Sequence, residues 1–112
     1  MSLCEYTAIT YERLTEKIKE GRQVVIVGAD WCNLARNILR YHQREKWTSF
    51  ISRENIQVTY VDAEISEDTR IGLKCTGIPH VVWFNDGKKL GEKTRFFRNN
   101  DLIPELMKSY SR

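Results

Sequence analysis

Cys32 follows the apolar run Val24-Val25-Ile26-Val27 across the short stretch Gly28-Ala29-Asp30-Trp31. Consecutive β-branched residues favour a strand, and the amphipathic segment beyond Cys32 favours a helix. The cysteine therefore opens a helix, where unpaired backbone N–H groups and a partial positive charge favour thiolate over thiol. A dithiol redox centre would carry its second cysteine three residues on, but the residue there is Ala35. A single thiolate can still attack a disulfide and form a mixed disulfide. It has no built-in partner to release the substrate, so turnover needs an outside thiol or the reaction stops at the adduct. Two origins of Ala35 stay open: an alanine native to this position, or a cysteine replaced so as to trap that adduct. A third reading makes Cys32 only the first residue of a helix, with no redox role.

Other reactive side chains form weaker patterns. Cys4 and Cys75 are far from Cys32 in sequence, and three scattered cysteines make neither a disulfide framework nor a metal site. Cys75 reads as a packed core thiol, with a regulatory surface thiol as the alternative. His42 continues the apolar face of Leu34 and Ile38, with no second histidine at ligand or base spacing. Asp30 and Asp62 lack a third ligand and read as solvated turn residues. Arg95-Phe96-Phe97-Arg98 resembles a short basic-aromatic patch, although phenylalanines in a strand more often face a sheet core than a nucleobase.

The elements that would position Cys32 alternate in period. Tyr11 to Lys19 places Tyr11, Leu14 and Ile18 at helical spacing and stops at Gly21. Gln23 to Val27 is a continuous apolar strand, and Asn33 to His42 an amphipathic helix. Lys46 to Asn55 reads as an irregular connector whose Trp47, Phe50 and Ile51 tuck against the body. Ile56 to Val61 alternates as a strand ended by Asp62, and residues 65–73 form a short, weakly patterned helix. Val81 to Phe84 is a further strand, Asn85-Asp86-Gly87 a hairpin turn, and Lys89 to Phe96 its partner. Asn100 to Tyr110 is a helix with Pro104 in its first turn. A short strand before the first helix completes the order, and a central sheet covered by helices is the layer arrangement such an alternation requires.

At 112 residues the chain reads as a single domain, 1–112. Its 41% hydrophobic and 29% charged residues exclude a disordered chain. The net charge of +3 is spread among glutamates without a basic block, which argues against nucleic-acid partners. No apolar run approaches a membrane span, so no membrane partner is expected. Met1 to Thr10 has neither the lysine or arginine nor the apolar core of a signal peptide, and a reducing cytoplasm is the expected location.

Three stretches carry a resemblance to the thioredoxin-like family, and it covers nearly the whole chain. They are Ala29-Asp30-Trp31-Cys32-Asn33-Leu34-Ala35, Val61-Asp62-Ala63, and Gly77-Ile78-Pro79 leading into Val81-Val82-Trp83-Phe84-Asn85-Asp86-Gly87. The resemblance implies an α/β fold with a central mixed sheet and helices on both faces. It implies a cis Pro79 facing Cys32 across a substrate groove, with the Ile78 backbone left free to pair with an extended peptide. Trp31, Ile78, Pro79 and Arg95 would then contact substrate, with Cys32 as nucleophile and position 35 as that of the resolving thiol. The chain departs from the family at several positions. Ile26 stands where many members carry a buried acid, Arg95 where a glycine commonly lines the groove, His80 where threonine is usual, and Asn33-Leu34 where Gly-Pro is usual.

The activity implied is thiol–disulfide exchange on a disulfide-containing protein or a thiol substrate, with a possible reductase donor and with no cofactor or metal. The alternatives are a redox-inactive binding or adaptor protein on the same scaffold, and a glutathione-dependent monothiol reductase. The last lacks the glycine pair and acidic residue that glutaredoxins use after their final strand.

Overall fold

The computed structural model describes residues 5–94 and 102–111. The elements run α1 (Tyr11–Lys17), β1 (Arg22–Gly28), α2 (Asn33–His42), α3 (Glu45–Arg53), β2 (Ile56–Asp62), α4 (Glu67–Gly72), β3 (His80–Asn85), β4 (Lys88–Thr94) and α5 (Leu102–Tyr110). The four strands form one mixed sheet in the order β2-β1-β3-β4. β1 pairs in parallel with β2 and antiparallel with β3, and β3 pairs antiparallel with β4.

The two-residue period of the strands divides the interior into two cores. Val24, Ile26, Val81 and Trp83 point to one face, against Ile38 of α2, Trp47 and Phe50 of α3, and Leu106 of α5. Val25, Val27, Val82 and Phe84 point to the other, against Leu14 of α1. Strands buried on both sides must be apolar at every position, which is why β1 and β3 read as unbroken apolar runs. Fully burying one such side chain is worth about 1.5–3 kcal/mol.

Local chemistry fixes the turns. Asp86 and Gly87 both have positive φ, 51° and 85°, the pairing a tight hairpin needs between right-twisted strands. Asp86 Oδ1 also accepts from the Gly21 amide at 2.7 Å, tying the hairpin to the entry of β1. Thr10 caps α1 by accepting from the Arg13 amide at 3.2 Å. Among the described residues, the strand expected before α1 appears as one bridge between Thr7 and Val61.

The segment expected as an irregular connector is instead a helix, α3. Trp47, Phe50 and Ile51 recur at i, i+3 and i+4, and the first two are almost fully buried. Thr48, Ser49 and Ser52 are poor helix formers, but burial of the aromatic face outweighs their propensity. The hairpin partner is described to Thr94 and the last helix from Leu102. Arg95, Phe96, Phe97, Arg98 and Cys4 lie outside the described residues.

Candidate functional site

The parallel pairing of β1 with β2 sets the site. Gly28 and Asp62 are register partners at the C-terminal ends of the two strands. The Ala63 amide donates to the Gly28 carbonyl at 2.8 Å, so the chain leaving β2 stays against the chain leaving β1. Between those exits, bounded on the far side by the loop between α4 and β3, lies a groove of about 820 Å³. Trp31, Cys32, Leu34, Cys75 and Ile78 form much of its lining.

Cys32 is the N-cap of α2, half-buried, with extended backbone at φ −89° and ψ 117°. Its amide donates to the Ala29 carbonyl at 3.1 Å, and its carbonyl accepts from the Arg36 amide at 3.0 Å. The thiol makes no capping hydrogen bond, and no acidic residue lies in the first helical turn. The positive end of the helix is therefore left to the sulfur. Trp31 beside it is 65% exposed, a large apolar surface held in water at the groove's rim. Ala35 has no exposed surface and packs into the core. Its carbonyl accepts from the Tyr6 hydroxyl at 2.8 Å, which anchors the first turn of α2.

The Ile78–Pro79 peptide bond is cis, with Pro79 buried and Ile78 partly exposed on the groove. Among the described residues the backbone groups of Thr76, Gly77 and Ile78 have no hydrogen-bond partner. Unpaired N–H and C=O groups on an open rim can accept an added extended segment.

His80 belongs to a different environment. Its ring is buried, with Nδ1 2.6 Å from Thr94 Oγ1 and Nε2 3.3 Å from Glu92 Oε1. Burial holds its pKa below the ordinary value against the pull of the Glu92 carboxylate. It joins the loop before β3 to the end of β4 and does not line the groove. Ile26, where a buried acid could have stood, is a fully buried core residue on the Trp83 side of the sheet.

Cys75 lies three residues beyond α4, half-buried and packed against the core on the α1 side, while one edge lines the groove. Burial pushes its thiol up to about 11, with the nearby Arg70 guanidinium pulling it down and the Glu92 carboxylate raising it. It is thus neither a wholly enclosed thiol nor an activated one. The loop from Leu73 to Pro79 has no regular period, so residue spacing alone did not place Cys75 on the groove. Glu64, Glu67 and Arg70 also line the groove. The signal that could have found them is the parallel strand pair, whose C-terminal ends open on one common edge.

Asp62 is a turn residue. Its Oδ1 accepts from the Glu64 and Ile65 amides at 2.9 and 3.1 Å. His42 is also structural: the ring stacks on Trp47 at 3.9 Å and its Nδ1 lies 3.2 Å from the Tyr60 hydroxyl. Burial lowers its pKa to about 3. Among the described residues no helix is long and apolar enough to cross a membrane.

No protein-family model and no curated protein matches the chain. Solved structures do. A thioredoxin variant from Halobacterium salinarum is 19% identical, covering 96% of this chain and 89% of its own, with a TM-score of 0.72. Mitochondrial thioredoxin 3 from Saccharomyces cerevisiae, in its oxidized form, is 20% identical, covering 95% of this chain and 93% of its own, with a TM-score of 0.69. A Fasciola hepatica thioredoxin is 24% identical over 80% of this chain and 86% of its own, with a TM-score of 0.65. The mixed sheet, the helices on both of its faces and these superpositions together assign the chain the thioredoxin-like fold.

Proposed function

We propose that this chain, acting as a single domain, carries out thiol–disulfide exchange through Cys32 and halts at the mixed disulfide unless a second thiol is supplied. The observation that carries the reading is the joint position of Cys32 and Trp31. A half-buried thiol at the start of a ten-residue helix stands beside a 65% exposed tryptophan on an open groove. A tryptophan that served only packing would be expected inside the protein.

In the reaction the Cys32 thiolate attacks one sulfur of a substrate disulfide. The new Sγ–S bond forms as the substrate S–S bond breaks, and the departing sulfur leaves as a thiolate that takes a proton from water. The bound segment lies extended along Thr76 to Ile78 and pairs with their free backbone groups. Release requires a second thiolate to attack Cys32 Sγ, and the methyl group of Ala35 cannot do this. An external thiol, carried by a small molecule or a reductase, completes the exchange. Arg95 remains a proposed groove residue from the family pattern.

An assay of protein-disulfide reduction with excess low-molecular-weight thiol tests this on three proteins. The chain as it stands should turn over in proportion to added thiol. Ala35→Cys should release reduced substrate with less dependence on that thiol, and Cys32→Ser should be inactive. Turnover that survives in Cys32→Ser would overturn the reading. An Ala35→Cys protein that stays inert while Cys32 still reacts would favour the adaptor alternative, in which the groove binds a partner without exchanging disulfides.

A further inference from the structure

The segment from Tyr6 to Ile9 lies outside the groove, yet it bonds in turn to each element that carries a groove wall. Tyr6 reaches α2, where its hydroxyl donates to the Ala35 carbonyl at 2.8 Å inside the core. Thr7 reaches the end of β2. Its amide donates to the Tyr60 carbonyl at 2.9 Å, and its carbonyl accepts from the Asp62 amide at 2.8 Å. Ile9 reaches α4: its amide donates to Ser66 Oγ at 2.9 Å, and its carbonyl accepts from Thr69 Oγ1 at 2.6 Å. Ser66 and Thr69 are both buried, and a buried hydroxyl needs a partner, so the fold requires this strap. α4 in turn holds the start of the loop to Pro79, since the Cys75 amide donates to the Arg70 carbonyl at 3.1 Å.

A second observation concerns Gly28. The Tyr6 ring fills the space that a side chain at position 28 would need. A Cβ on Gly28 would stand 2.6 Å from Tyr6 Cζ and 2.7 Å from its hydroxyl oxygen, closer than real Cβ atoms come. Gly28 ends β1 and Ala35 lies in the first turn of α2. Tyr6 therefore touches both ends of the stretch that carries Trp31 and Cys32. Among the described residues it is the one side chain bonded to the backbone of that stretch.

We propose that Tyr6 is a positioning residue for Cys32, fixing the sulfur relative to the peptide-pairing edge at Thr76 to Ile78. It acts through the strap that joins α2 to β2 and α4. The inference rests on the Cys32 reading for the covalent step. There the new Sγ–S bond forms in line with the S–S bond that breaks. A peptide already seated on the edge presents its disulfide at one place and one angle. A sulfur displaced by about 1 Å then loses up to about a hundredfold in rate. A small disulfide in solution turns to meet the thiol wherever it stands, and loses little.

The test uses two disulfides of one chromogenic thiol, whose other half is a short cysteine peptide or a methyl group. Attack by Cys32 joins it to that half and releases the coloured thiolate with the electron pair of the broken bond. Tyr6→Phe keeps the ring and loses the hydroxyl. It should lower the saturating rate with the peptide about tenfold and leave the half-saturation concentration unchanged. The methyl disulfide rate should stay within about twofold. Gly28→Ala drives the Tyr6 ring from its place and should give the same split. Because both changes break one bond, together they should cost less than the product of their single effects. Amide hydrogen exchange adds a readout that needs no reaction: in Tyr6→Phe it should quicken at Cys32 and Arg36 and not along β1. Equal losses for the two disulfides, uniformly quickened exchange or multiplicative effects would overturn the inference and leave the Cys32 reading standing. Selective quickening at Cys32 and Arg36, in a chain that forms no adduct with either disulfide, would uphold the positioning and sink the exchange reading.

Discussion

The two ends of α2 put the same helix to opposite uses. At its N-terminus Cys32 makes no side-chain cap, Trp31 stands in water, and the groove opens beside them. At its C-terminus His42 has no exposed surface, stacks on Trp47 at 3.9 Å and bonds to Tyr60. One end leaves polar and apolar groups unsatisfied, and the other end encloses them. The enclosed end supplies the rigidity that lets the open end hold a sulfur at a fixed place. A residue near the groove should therefore change chemistry with little effect on stability, and a residue near His42 should do the reverse.

Trp47→Ala gives the largest expected effect. Removing this almost fully buried indole should cost about 3–5 kcal/mol in chemical denaturation, since the cavity closes only partly. The protein that remains folded should react at Cys32 at an unchanged rate. A large loss of reactivity in that folded fraction would show that the two ends are not separable.

Acid should attack the enclosed end next. The folded-state pKa of His42 lies near 3 against 6.5 for the free side chain, so the fold favours neutral imidazole. That contribution is fully present above pH 6.5 and is lost as pH falls towards 3, by about 1.4 kcal/mol for each unit. Urea midpoints measured across this window should fall with pH, and His42→Gln should flatten the slope. A slope unchanged in that variant would assign acid sensitivity to other groups.

The two thiols of the groove extend the contrast. Cys75 has a folded-state pKa near 11 against 9.0 for a free thiol, which lowers its thiolate fraction at neutral pH about a hundredfold. Alkylation at pH 7 should therefore label Cys32 first, with Cys75 catching up as pH rises towards 11. Because the fold favours the neutral Cys75 thiol, its contribution to stability is complete below pH 9 and is lost as pH climbs through 11. Equal labelling rates at pH 7 would contradict this. The smallest stability effect belongs to Trp31→Ala, within about 0.5 kcal/mol because the side chain is mostly in water. Its adduct formation should nevertheless slow severalfold.

Much of this contrast was legible in the residues. The apolar runs of β1 and β3 announce strands buried on both faces, and Asn85-Asp86-Gly87 announces a hairpin, because these patterns are local. The helix starting at Cys32 was legible for the same reason. α3 was not, since Thr48, Ser49 and Ser52 dilute the helical signal and only tertiary burial of Trp47 and Phe50 settles it. The Glu64–Arg70 wall and the approach of Cys75 to Cys32's groove depend on strand order and register, which no short window of sequence encodes. His80 follows Pro79 at the edge of the groove, and which way its ring turns depends on the alternation along β3, which sends it to Thr94 and Glu92.

The central claim is that Cys32 alone attacks disulfides and that nothing at position 35 completes the exchange. Its most direct test is to mix the reduced chain with a disulfide-bearing peptide, without added thiol, and map the products by peptide mass spectrometry under non-reducing conditions. The account predicts one peptide joined to Cys32, persisting until an external thiol is added and absent from Cys32→Ser. A peptide joined to Cys75 while Cys32 stays free, or an adduct undiminished in Cys32→Ser, would contradict it.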